Sequence, residues 1–218
     1  MTNRIYSEYK YLEWTRTLID NATSHSEISK ALAIVGYDKT VIAEGKQLYL
    51  TAKQLFDINK IEDDETRDSR KIYKSKIEEL VEVFKPDRIK ARVIFRNDST
   101  TQEKLMINGG FPNSYPTLIQ RTEKFYTVLN TDTQLQQKVA KLKITPNKIK
   151  TGLKAVISLQ SARNNYKTEI GESQDATKAK DSAITNLENW IKDFKDIAQI
   201  ALEDQPQLQE SLGIFVKS

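Results

Sequence analysis

The chain has 218 residues, 38% of them apolar, with a net charge of +4 and no cysteine. Such a length can bury a core without disulfide or metal staples, and its apolar content separates it from disordered chains. The missing cysteine excludes disulfides, a thiolate nucleophile and Cys-ligated zinc or iron–sulfur centres.

From the N-terminus, the segment Met1 to Trp14 lacks the apolar stretch of a secretory signal, and no run approaches the roughly 18 residues of a membrane span. A soluble, cytoplasmic protein is expected. Tyr9, Leu12, Leu18 and Ile19, with Trp14 nearby, predict a first helix ending near Asn21, and Tyr6, Tyr9, Tyr11 and Trp14 form an aromatic cluster expected to seal one end of a bundle. Ile28, Leu32 and Val35 predict a short second helix, ended by Gly36, with Asp38 capping the next. In that third helix Val41, Gly45, Leu48, Ala52 and Leu55 alternate spacings of four and three, a seam for antiparallel packing.

The run Glu62-Asp63-Asp64-Glu65 then reads as the acidic start of a new helix, where carboxylates complement the N-terminal partial charge. Ile72, Tyr73, Ile77, Leu80, Val81 and Phe84 give its apolar face, and Pro86 is expected to kink it. Asp98, Ser99 and Thr100 followed by Glu103 offer a capped start to a short helix, which Asn108-Gly109-Gly110-Phe111-Pro112 ends.

Sliding the chain against itself gives one gap-free register, an offset of 107. It pairs Ile42 with Ile149, Gly45 with Gly152, Glu62 with Glu169, Ile77 with Ile184, Leu80 with Leu187 and Ala91 with Ala198, and it keeps the apolar phase, with Val83 on Trp190. Two units are therefore expected, 1–107 and 108–218, packed as one pseudo-twofold domain. In the second, Thr145 and Pro146 open a helix carrying Ile149, Leu153, Val156 and Leu159, and after Gly171 the residues Ile184, Leu187, Trp190, Ile191, Phe194 and Ile197 form its partner. The predicted fold class is all-α: a duplicated helical unit, two long antiparallel hairpins forming a four-helix bundle with short end helices. Gly45 and Gly152, each inside a helix, are expected to mark close backbone approach where helices cross.

Candidate chemistry is sparse. His25 is the only histidine and sits in a polar stretch, no His-x-x-x-His or paired Glu-x-x-His ligands exist, and Gly109-Gly110 precedes Phe-Pro rather than a phosphate-cradling helix. Glu169, Glu172 and Asp175 form the densest acidic group recurring in both units, explained as a duplicated helix N-terminus. Arg92, Arg96, Arg121 and Arg163 are candidates for ion pairs or anion ligands. The segment Val139 to Ile149 resembles the start of a helix-turn-helix, but its spacing is off and the following helix is too long, so it reads better as a structural corner of the bundle. No catalytic, metal or ligand-binding residue is assigned and no cofactor is expected. A non-catalytic structural or protein-interaction role, with a protein partner or self-association, is the leading expectation. A pocket of carboxylates and arginines comes second, and a nucleic-acid-binding basic face third, because the charges interleave along the helices. No membrane partner is expected.

The tail Ile200 to Ile214, preceded by Gly171 to Thr177, resembles uncharacterised all-helical bacterial proteins. That resemblance implies a helical fold and carries no activity.

Overall fold

The computed structural model describes residues 2–214, with side chains from Ser7 onward. Among them are eight helices and no strand: α1 (Thr2–Ser24), α2 (Ser26–Ile34), α3 (Lys39–Ile94), α4 (Ser99–Lys104), α5 (Tyr115–Thr131), α6 (Thr133–Ala140), α7 (Pro146–Ala201) and α8 (Pro206–Ser211). The all-α class holds. Among the described residues no helix is long and apolar enough to cross a membrane.

The expected hairpins are instead two uninterrupted helices of 56 residues each. The acidic run at 62–65 lies within α3, where no glycine or proline falls between Gly45 and Pro86 to start a reversal. The helix continues through Pro86. Gly171, where the second break was expected, lies inside α7 with open space around its α-carbon.

The chain forms two compact units, residues 1–64 with 172–218, and residues 65–171. Each long helix is divided between them. In the discontinuous unit, α1 and α2 pack Leu12, Leu18, Ile28 and Leu32 against Ile42 and Phe56 of α3 and Leu187 and Phe194 of α7. Here Asn59 donates to Thr177 Oγ1 at 3.0 Å and Ser173 donates to Asp63 Oδ1 at 2.8 Å, so rising numbers on α3 meet falling numbers on α7 and the two helices run antiparallel. In the continuous unit, Leu80 and Phe84 of α3 pack with Phe125 and Leu129 of α5, Val139 of α6 and Ile149 and Leu159 of α7. The pairing is again antiparallel, with Thr66 donating to the Glu169 carbonyl at 2.9 Å and Lys148 reaching Asp87 at 3.1 Å.

Helix boundaries recur at the 107-residue interval: α7 begins and ends 107 residues after α3, and α8 does the same relative to α4. Local devices recur as well. Gln102 Nε2 donates to the Phe95 carbonyl and Gln209 Nε2 to the Leu202 carbonyl, both at 2.8 Å. Left-handed backbone appears at Gly36 (φ +88°) and Lys143 (φ +63°), and at Met106 (φ +48°) and Gly213 (φ +72°). The capping expectations also stand. Asp38 accepts from Thr40 and Val41, Asp98 accepts from Thr101, and Thr145 accepts from Lys148 ahead of Pro146.

Gly45 and Gly152 do not mark backbone approach. A methyl on Gly45 would overlap the indole of Trp190, and one on Gly152 would overlap the phenol of Tyr126. Position 190 corresponds to Val83 and position 126 to Ile19, so each unit admits one large ring beside its glycine, from a different helix in each case. The interiors differ in polarity too. Asp87, Tyr126 and Lys148 form a hydrogen-bonded set in the continuous unit. The other unit carries Phe194, Ile19 and Val41 at the corresponding positions. Conversely, Lys180, almost fully buried, pairs with Glu8 at 2.7 Å and with Asp181 at 3.3 Å, whereas the corresponding Tyr73 and Tyr115 meet as rings 5.9 Å apart.

Candidate functional site

The charges that interleave along the sequence separate in space. Residues 65–171 hold 21 Lys and Arg against 11 Asp and Glu, net +10. The unit of residues 1–64 and 172–218 holds 13 against 19, net −6. Counted by chain halves the same charges give only +1 and +3, because α3 and α7 each pass from one unit to the other.

The basic excess concentrates in α6, the turn after it and the first part of α7. Residues 133–168 contain eight Lys and Arg and no carboxylate. Asp132 opens this segment, accepting from Lys104 at 2.8 Å and from the Leu135 amide at 3.1 Å; these bonds, the Lys104 one first, hold its carboxyl below its ordinary pKa. Leu135 and Val139 bury the inner face of α6, Ile144 anchors the turn, and Ile149, Val156 and Leu159 bury the inner face of α7. Lys138, Lys141, Lys143, Asn147, Lys150, Thr151 and Lys154 are left exposed. On α7 the spacing of Asn147, Lys150, Thr151 and Lys154 puts all four on one helical face. Lys148 turns inward instead, to the fully buried Asp87. Beside this face a 370 Å³ groove brings Glu79 and Glu82 of α3 to Thr151 and Lys154, so carboxylates bound the basic surface on that side. An array of ammonium, amide and hydroxyl donors whose own segment carries no carboxylate can engage a phosphate backbone.

A second basic group surrounds the loop 108–110. Arg88 Nη2 donates to the carbonyls of Asn108, Gly109 and Gly110 at 3.2, 2.6 and 3.1 Å. Arg92 donates to Gly109 at 3.3 Å, and Arg121 to Asn108 and Gly110 at 3.4 and 2.7 Å. Arg88 is only 5% exposed; burial, then the neighbouring Arg92 and Arg121 charges, lower its pKa. Of the four arginines singled out in the sequence, Arg92 and Arg121 thus come together. Arg163 lies over the Tyr115 ring at 4.1 Å, and Arg96 bonds the Val93 carbonyl. Arg88 carried no sequence signal, since its burial follows from the loop folding back onto α3.

The other candidates do not converge. His25 is exposed ahead of α2 and caps nothing with its side chain. Glu169 lies in the continuous unit, Glu172 and Asp175 in the other, all inside α7 rather than at a helix start. A 300 Å³ cleft between Tyr11, Trp14 and Ile191 mixes Lys192 and Lys195 with Glu188 and Asp196, and a 290 Å³ cleft holds Glu65, Asp68 and Glu169 beside Asn165. Of the N-terminal aromatics, the Tyr6 side chain lies outside the described residues, Tyr9 is exposed and Tyr11 packs against Trp14 with ring centres 5.8 Å apart. No protein-family model matches the chain, and no curated protein or solved structure shows significant similarity to it.

Proposed function

We propose that the protein binds nucleic acid through its phosphate backbone, without reading bases, using the exposed lysines of α6, the following turn and α7. The observation that carries this is the 36-residue stretch 133–168, with eight cationic side chains and no carboxylate, five of them lysines exposed between positions 138 and 154. Clustered cations release several counterions together when phosphates bind, which a mixed surface does not do. No catalytic step is proposed.

Fluorescence anisotropy with duplex DNA and RNA across a salt series tests it. About five phosphate contacts imply a fall in affinity on the order of 10²- to 10³-fold between 50 and 200 mM salt. Replacing Lys138, Lys141, Lys143, Lys150 and Lys154 with Gln should remove most of that salt dependence. Salt-independent or absent binding by the wild-type chain would refute the proposal.

A protein-interaction role is the second reading, favoured by exposed apolar residues that recur at the 107-residue interval: Val35 and Leu142, Leu50 and Ile157, Val93 and Ile200. It predicts a concentration-dependent dimer in sedimentation equilibrium, weakened by Leu50→Lys with Ile157→Lys. We further infer that the chain arose by internal duplication, for which the recurring helix limits and the Gln102 and Gln209 bonds are the support.

A further inference from the structure

We propose that Arg88, Arg92 and Arg121 form an oxyanion site that takes a phosphate group. Three full positive charges gather here on three neutral carbonyl oxygens, those of Asn108, Gly109 and Gly110. Among the described residues no carboxylate pairs with any of the three. The neighbouring cations oppose one another, and this repulsion is part of what lowers the Arg88 pKa.

The fold does not demand the cluster. At the corresponding positions of the other unit stand Lys195, Gln199 and Trp14, and there Lys195 lies over the Trp14 ring at 5.7 Å. One arginine would be enough to tie down the loop. Three are used, and the buried guanidinium keeps an unpartnered Nε. Arg92 is exposed and Arg121 half-exposed, and each commits only Nη1 to the loop. Their remaining N–H groups can therefore meet a dianion as paired forks, with Arg88 supplying fixed charge behind them. An exchangeable oxyanion would offset the like-charge repulsion that the carbonyls, with partial charge only, leave in place.

The site uses none of the α6–α7 lysines, so the two proposals can fail independently. Titration of inorganic phosphate at constant ionic strength, followed by ³¹P NMR, should show saturable binding to the full chain that chloride does not reproduce. Arg92→Gln with Arg121→Gln should weaken it at least ten-fold while circular dichroism stays unchanged. Lys150→Gln with Lys154→Gln should leave it intact. Competition by a 5′-phosphorylated oligonucleotide, but not by its 5′-hydroxyl form, would identify the source as a nucleic-acid end; competition by a sugar phosphate alone would identify a small molecule. Absence of saturable binding in the wild type, or equal binding in the arginine variant, would overturn the site and leave the arginines as loop fastenings.

Discussion

The indole of Trp190 occupies the space that a side chain on Gly45 would need. Alanine favours a helix interior over glycine by about 1 kcal/mol, but overpacking against a rigid ring costs about 1–3 kcal/mol, so the clash decides the sign. Gly45→Ala and Gly152→Ala should both destabilise the protein in urea unfolding. Gly171→Ala, with nothing near its added methyl, should stabilise it by about 1 kcal/mol. Equal effects at all three sites would contradict the ring packing.

Glu8 and the buried Lys180 hold the place that two tyrosines take in the other unit. Removing one member of a buried pair strands the other charge, although Asp181 still reaches Lys180. Glu8→Ala should therefore destabilise by about 2 kcal/mol, below the 3–5 kcal/mol of a fully stranded partner. Glu8→Tyr with Lys180→Tyr should recover most of the loss, because a well-packed apolar pair can replace an ion pair. Thermal unfolding of the single and double variants measures the coupling.

Lys143 and Met106 adopt left-handed backbone at positions where the other unit uses glycine. For a side chain that conformation costs roughly 1–2 kcal/mol. Part of this is returned by the greater freedom glycine has when unfolded. Lys143→Gly and Met106→Gly should each stabilise by up to about 1 kcal/mol, whereas Gly36→Ala should destabilise by a similar amount. Denaturant midpoints at unchanged slope provide the check.

Burial raises the pKa of the Tyr11 phenol to about 12; the Tyr126 phenol is raised further, by burial first and then by the Asp87 charge beside it. The folded protein thus keeps protons that the unfolded chain releases above pH 10. The contribution of these two phenols to stability should be constant below that pH and fall as the pH climbs from 10 through 12. Tyr11→Phe should make the fall shallower, and stability that rises with alkali would contradict the buried phenols.

Much of the fold was legible because its signals are local. Asp38, Asp98 and Thr145 cap where their side chains and spacing say they should, and Gly36 ends α2 through its backbone freedom. The uninterrupted course of α3 was not legible. An acidic run suits a helix start, yet nothing in it breaks a helix, and Asp63 and Thr66 find their partners on α7, more than a hundred residues away. The basic face was hidden for the same reason. Charge had to be summed over units that no contiguous half of the chain represents, and Arg88 drew its meaning from carbonyls twenty residues further on.

Because residues 65–171 form one compact unit while the other joins 1–64 to 172–218, the residues of the two cores are completed at different points of the chain. The internal, basic core has all its residues by position 171, whereas the core that contains residues 1–64 also needs residues 172–218. Cutting the chain at residue 107 would halve both cores at once, whereas excising 65–171 keeps one of them whole.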